Sequence, residues 1–472
     1  MPAADTIDTR PWPLVTPIER RIAWIATFER AVVDAEAALT DAVAADIGKG
    51  SWETVTQDIM PLVASMRWHR ANAPTILGPR RIGGAPWWLL GQRHVGHRVP
   101  VGRVLIIATW NYPLQLLGVQ LVQAIAAGNR VVVKPSERAA RSQALLMDLA
   151  VRALDAAGMD RSMIAVAPAT REAGRDLLER ERFDWVVFTG STTVGREIAA
   201  ACARTLTPST LELSGRDSAI VLDDADPALA ARSVWHAVTM NAGQTCMAPR
   251  RVLVDRAVIA PFLDELRPRV AAAPEVRLAD PAMALHCVAL VEEAVRAGGA
   301  SLCGTIDPPH GDRMRPAAVA NCPRRSRLAA GDHFGPVLAV LPVDGIADAL
   351  AAHREAGQHL ATSVFSRRAA ELAADPGFVA ALGSGVVTFN DCILPTGHPG
   401  VSIEGRGLSG WGASRGAAGL LALTREVACS ITSTTIRTPL DEPAPTGKRW
   451  LRRLAFGGRA QPRLTASIPQ PT

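Results

Sequence analysis

From residue 101 onward the chain carries four short apolar runs, at 104–108, 130–133, 163–166 and 185–189, separated by segments with helical signals. Aliphatic runs without polar alternation suit strands buried on both faces, the condition inside a parallel sheet covered by helices. Between the first two, residues 113–127 open on Pro113 in a first-turn position and close before Gly128, placed for a C-cap, so strand, helix and strand follow in order. Right-handed crossovers then predict a doubly wound α/β sheet. Further apolar runs at 218–222, 251–254, 337–341, 362–365 and 386–389 predict a second α/β lobe after Glu212.

The flanking segments read differently. Residues 17–76 are expected to be helical, with Ile22, Ile25, Phe28, Val32 and Val33 spaced for one face. Residues 83–100, with Trp87, Trp88, Leu89 and Leu90 before Gly91 and Val95 and Val99 after it, predict a strand pair. From residue 439 the composition turns to Pro, Arg, Gly and Thr and reads as a mostly disordered tail. Within it, residues 448–456 combine cationic side chains with Trp450, Leu451, Leu454 and Phe456 at near-helical spacing. That pattern fits a solvated tail, or weak contact with a membrane surface or partner.

No stretch reaches the ~20 apolar residues that span a bilayer, and the start lacks a basic segment followed by an apolar one, so a cytoplasmic location is expected. A net charge of +6 over 472 residues does not imply nucleic acid. The seven cysteines are scattered, odd in number and without metal-ligand spacing, so neither a disulfide framework nor a metal site is expected. Lysine appears only at Lys49, Lys134 and Lys448, and Tyr112 is the only tyrosine. These rare types carry weight in an arginine-rich chain.

Four groups of residues can carry chemistry. Cys246 follows Gly243, Gln244 and Thr245 just before a strand; an isolated cysteine is usually buried and inert, yet this one is placed to act as a nucleophile. Glu212 lies in an apolar strand that ends in a small-residue turn. It is either a solvated strand end or, near a thiol, a desolvated base for activating water. Asn111, between a buried strand and Pro113, is either a helix N-cap or an amide donor to a developing oxyanion. Lys134, Ser136 and Glu137 end the second strand, and Gly190, Ser191 and Gly195 lie where the strand 185–189 turns into a helix. A lysine and a glutamate on ribose oxygens, with backbone N–H groups facing a pyrophosphate, form the functional reading of that set. Gly405, Gly407 and Gly410 match a six-residue dinucleotide fingerprint, but no apolar strand precedes them, and a loop near the substrate mouth is expected instead.

Taken together, Trp110 to Pro113, Lys134 to Glu137, Phe188 to Ser191 with Gly195, Leu211 to Leu213, Gly243 to Cys246, Phe334 to Pro336 and Ser409 to Gly412 resemble the aldehyde dehydrogenase superfamily, nearest its class 3-like dimeric branch. The resemblance runs from about residue 100 to 428. It implies a Rossmann-type cofactor domain (1–83 and 101–212), an α/β catalytic domain (213–424) and a small bridging β element (84–100 and 425–438) in a homodimer, followed by the tail 439–472. It implies Cys246 as nucleophile, Glu212 as general base, and Asn111 with the Cys246 N–H as the oxyanion hole. NAD or NADP would be held by Trp110, Lys134, Ser136, Glu137, Gly190, Ser191, Gly195, Asp332 and Phe334. The reaction implied is oxidation of an aldehyde to a carboxylic acid through a cysteine thiohemiacetal and thioester.

Three positions depart from the family pattern: Ser214 replaces its usual glycine, Asp332 its longer glutamate, and residues 402–406 stand where Phe-Gly-Gly is usual. Release of the acyl group to coenzyme A, a cofactor-independent thiol hydrolase and a catalytically silent scaffold are the competing readings. Glu212 argues against the first, and Lys134, Glu137 and residues 190–195 against the other two. Trp110, Tyr112, Trp235 and Ile393 at the expected mouth lean towards a hydrophobic aldehyde.

Overall fold

The structure is a computed structural model that describes residues 16–86, 89, 91–331, 333–433 and 445–456. It divides into two compact units, Met1–Gly78 with Arg98–Arg425, and Pro79–His97 with Glu426–Thr472.

In the first unit the expected strands form a six-stranded sheet in the order Gly410–Trp411, Ser209–Leu213, Trp185–Gly190, Arg103–Ile107, Arg130–Lys134, Ile164–Val166. All pairs are parallel except Gly410–Trp411 with Ser209–Leu213. Arg103–Ile107, first in sequence, lies between later strands on both sides, so the strand order reverses there. Loops at the carboxyl ends on either side of such a reversal diverge and leave a crevice.

A second sheet of seven strands runs Ala300–Ser301, Ala317–Ala320, Val337–Val343, Arg251–Asp255, Ser218–Val221, Ala361–Phe365, Val386–Phe389. Its first member alone is antiparallel. Five of these strands are the predicted ones. Ala317–Ala320 gave no signal because its alanines lack the bulk of a β-branched run, although all four residues are buried.

The opening helical layer consists mainly of Ile18–Asp34, Glu36–Ile47 and Met60–Leu77, with a left-handed Gly48 ending the second helix. Ile25, Phe28 and Val32 are buried on one face as expected, but Val33 is 48% exposed because it stands a further 100° around the helix from Val32. Trp24 is also buried, and its indole donates to the Ala150 carbonyl at 2.9 Å.

The second unit contains most of a three-stranded sheet ordered Arg80–Ile82, Gln92–Pro100, Thr424–Thr432, the first two strands antiparallel. The strand pair expected inside residues 83–100 therefore begins earlier, at Arg80, and residues 83–86 contain no strand. Trp87, Trp88 and Leu90 lie outside the described residues. Within the segment expected as a disordered tail, Pro445–Phe456 forms a helix.

Candidate active site

Strands of the six-stranded sheet, with loops and a helix from the half that holds the seven-stranded sheet, bound one cleft of 1370 Å³ lined by Trp110, Asn111, Glu212 and Cys246 together with Lys134, Glu137 and Phe334. Cys246 is half-buried, and its Sγ donates to Glu212 Oε1 at 3.6 Å. Burial pushes its thiol well above the usual range, and the neighbouring Glu212 carboxylate adds to the shift. Glu212 sits on the buried strand Ser209–Leu213, opposite Thr189, with 3% of its surface exposed.

The loop before Cys246 has a conformation that few sequences tolerate. Asn241, Ala242 and Gly243 all have positive φ, at 52°, 53° and 72°, which costs on the order of 1 kcal/mol for a residue such as alanine. Asn241 is tied down by its side-chain amide, which donates to the Asn111 carbonyl at 2.8 Å. A Cβ at Gly243 would overlap the backbone of Gly335 and Pro336, so glycine is also demanded by close approach.

Asn111 is buried and oriented from both ends. Its Oδ1 accepts from Thr109 Oγ1 at 3.0 Å, and its Nδ2 donates to the Gln244 carbonyl at 3.0 Å. An amide nitrogen has two N–H donors, so one remains for the cleft. The phenol of Tyr112 pairs with Thr245 Oγ1 at 2.6 Å, joining this loop to the residue beside Cys246.

At the far end of the cleft Lys134 Nζ donates to Glu137 Oε2 at 3.2 Å and Arg171 Nε to Glu137 Oε1 at 2.9 Å. Partial burial alone would raise the Glu137 carboxyl, but the bonds from Arg171 and the backbone and the Lys134 charge pull it down to about 2. Ser136 is buried, and its amide donates to Gln143 Oε1 at 2.7 Å. Gly190 leaves the strand end bare, since a Cβ there would overlap the Phe188 ring. Ser191 caps the helix Thr192–Thr205, accepting from the Val194 amide at 3.4 Å. Gly195 does not line the cleft; a Cβ there would strike Leu213, so its role is close packing of helix on strand. Trp110 and Phe334 meet edge to face with centroids 5.9 Å apart. Asp332 lies outside the described residues.

A bare strand end, a helix N-terminus, and a lysine and a carboxylate along one wall suit the phosphates and ribose of a dinucleotide. Ser214 at the cleft is held through its carbonyl, which accepts from Ser409 Oγ at 3.2 Å and from Gln358 Nε2. Leu408, within the glycine-rich stretch set aside as a fingerprint, lines the cleft from a single 3-10 turn, Gly407–Ser409. Trp235 does not line the cleft and packs in the core beside Phe262, whereas Ile393 packs in the apolar cluster around Cys246.

Several neighbours gave no usable signal. Lys49 Nζ is bonded to Asp58 Oδ2 at 2.7 Å and to the Asn111 carbonyl at 3.0 Å, and lies 4.0 Å from the Tyr112 ring centroid. The rarity of lysine was the available clue. Ser414 Oγ donates to Glu212 Oε2 at 2.9 Å, and the buried Arg415 guanidinium lies close enough to favour charge on Cys246. Serine and arginine are common in this chain, so neither stood out.

A sequence profile of the aldehyde dehydrogenase family matches residues 2–428. The chain is 30% identical over 423 residues to 4,4'-diapolycopene-4,4'-dial dehydrogenase of Cytobacillus firmus, covering 87% of this chain and 89% of that protein. It is 28% identical over 410 residues to the dimeric NADP-preferring aldehyde dehydrogenase of Canis lupus familiaris, covering 85% and 87%. Among solved structures, the Mycobacterium tuberculosis aldehyde dehydrogenase complexed with NAD+ is similar with a TM-score of 0.81 and 26% identity, covering 91% of this chain and 88% of that one.

Proposed function

The chain belongs to the aldehyde dehydrogenase family and oxidises aldehydes to carboxylic acids with NAD or NADP, and we propose that Cys246, Glu212 and Asn111 are the residues that carry the reaction. The 3.6 Å contact between Cys246 Sγ and Glu212 Oε1 inside the shared cleft is the observation that supports this assignment.

Because burial and Glu212 hold the thiol protonated at rest, attack requires a base, and Glu212 is in contact to take the proton. The thiolate adds to the aldehyde carbon, and the resulting oxyanion is met by the Cys246 N–H and the second Asn111 N–H. When bound, NAD or NADP supplies the hydride acceptor that turns this thiohemiacetal into a thioester. Glu212 returns its first proton to solvent and then removes a proton from water as the water oxygen bonds to the acyl carbon, and the carbon–sulfur bond breaks to release acid and thiolate. A carboxylate beside the sulfur supports hydrolysis over transfer to coenzyme A.

The cofactor reading places Lys134, Ser136 and Glu137 at the adenosine ribose and residues 190–191 at the pyrophosphate, with Trp110 and Phe334 nearer the nicotinamide. It also assigns cofactor binding to 1–83 with 101–212 and catalysis to 213–424. An apolar aldehyde is favoured by the dialdehyde named for the Cytobacillus relative. An aldehyde panel in which kcat/KM does not rise with apolar chain length would remove that preference. A homodimer and a cytoplasmic location complete the reading, the former supported by the dimeric relative, the latter by the absence of a helix long and apolar enough to cross a membrane among the described residues. Cell fractionation that recovers the protein in the membrane pellet would count against the location. Membrane-surface contact by Pro445–Phe456 rests on its cationic face, and vesicle co-sedimentation unchanged by deleting residues 439–472 would eliminate it.

The central assignment is tested by three variants. Cys246→Ala should abolish NADH production. Glu212→Gln removes the base for both steps, so a slowed burst of about one NADH per site should survive at least partly, followed by a hydrolytic phase reduced by roughly 10² to 10⁴. Asn111→Ala should slow burst and turnover together, by roughly 10² to 10³. Wild-type turnover in Glu212→Gln, or activity in Cys246→Ala, overturns the assignment.

A further inference from the structure

The two carboxylate oxygens of Glu212 have different partners. Oε1 accepts from the Cys246 thiol at 3.6 Å, and Oε2 accepts from the Ser414 hydroxyl at 2.9 Å. Both residues are almost fully buried, Glu212 at 3% and Ser414 at 4% exposure.

The placement of Ser414 is built by the backbone. Gly410–Trp411 pairs antiparallel with the strand of the base, setting Gly410 opposite Glu212. Gly410 has φ 96°, and a Cβ there would overlap the Leu211 backbone, so only glycine lets the two strands approach. The chain then turns through a bridge between Glu404 and Ala413, and the Ser414 amide donates to the Ile403 carbonyl at 2.9 Å. The hydroxyl is thus delivered to Glu212 by a fixed loop.

We propose that Ser414 is a positioning residue for the base, its hydroxyl holding Oε2 so that Oε1 faces the sulfur and, later, the attacking water. This rests on the reading of Glu212 as that base. Without a fixed partner a carboxylate turns readily about its last torsion, which is broad and two-fold. A hydrogen bond from a neutral donor to a carboxylate is stronger than one between neutral groups and favours the ionised form, the form that can accept a proton from water. Ser414 keeps its own proton throughout. The water proton goes to Glu212 as the new carbon–oxygen bond forms and the carbon–sulfur bond breaks. The ionisable and charged groups facing Glu212 are the Cys246 thiol and the Arg415 guanidinium. Arg415 donates to the Thr396 carbonyl at 3.2 Å, which anchors its charge independently of Ser414.

The test follows acid release in single turnover after the NADH burst, as a function of pH, in Ser414→Ala, Ser414→Thr and Glu212→Gln. Ser414→Ala should keep the amplitude of the burst while the acid limb of hydrolysis moves up by about one pH unit, with release about tenfold slower below that limb. Ser414→Thr, which retains a hydroxyl, should restore both. Wild-type release and an unmoved acid limb in Ser414→Ala, alongside a slow Glu212→Gln, overturn this inference alone. So does a Ser414→Ala variant that loses thermal stability with no movement of the limb, since that is packing and not positioning. Wild-type hydrolysis in Glu212→Gln instead overturns the base assignment on which the inference stands.

Discussion

Asp217, just beyond the strand of the proposed base, is buried, and its Oδ1 accepts from the Leu360 amide at 2.8 Å while Oδ2 has no partner among the described residues. Burial lifts its carboxyl to about 7, against backbone bonds from Ala361 and Leu360 and the charges of Arg250 and Arg251. The native protein therefore binds this proton more tightly than the unfolded chain, in which an aspartate titrates near 3.9. Its stabilising effect is complete below about pH 4 and is lost as pH rises through about 7. Asp217→Asn should remove that dependence, raising the melting temperature at pH 8 relative to wild type by roughly 2 °C or more and by less at pH 5. Equal shifts at both pH values would show that another group sets the slope. Cys246, Glu212 and Asn111 were legible at this scale because a thiol, a carboxylate in an apolar strand and an amide at a strand end are each unusual in their settings. Asp217 and Ser414 were not, since their environments depend on segments distant in sequence, Leu360 for one and Glu212 for the other.

At the scale of elements, the opening helical layer reaches directly into the site. Asp58, fully buried, accepts from the Leu114 and Gln115 amides at 3.1 and 3.2 Å, so it caps the helix Gln115–Ala126 from another element, while Lys49 on the next bend holds the Asn111 carbonyl. Neither residue is exposed enough for water to take over. Lys49→Met should strand the Asp58 charge and destabilise the fold by roughly 3 to 5 kcal/mol. Lys49→Met with Asp58→Asn, which keeps an acceptor for the helix, should recover most of that loss in a denaturant titration. If the double variant is no more stable than the single one, the pair is not coupled. Strand and helix identities were readable wherever aliphatic runs met turn residues. The short strands Ala300–Ser301 and Ala317–Ala320 were not, because their small residues acquire order only from neighbours already in the sheet.

For the molecule as a whole, alternating strand and helix signals sufficed to read two α/β lobes, and the site falls where the strand order reverses, as sheet topology requires. What could not be read was the pairing of Gly410–Trp411 back onto Ser209–Leu213, since two residues carry no periodicity. The proposed dimer belongs to this scale. Thr424–Thr432 ends its sheet and exposes Val427 and Ile431 at 45% and 43%, an apolar edge that invites a second chain. Light scattering at micromolar concentration should give a dimer mass, and a monomer mass would count against it. The contact of Gly243 with the Gly335–Pro336 backbone has its own consequence for directed evolution. The loop before the proposed nucleophile and the loop after Phe334 share one shape across nearly a hundred positions of sequence, so a library that diversifies either alone samples mostly dead variants. Only coupled changes at both loops can explore new active sites in this scaffold.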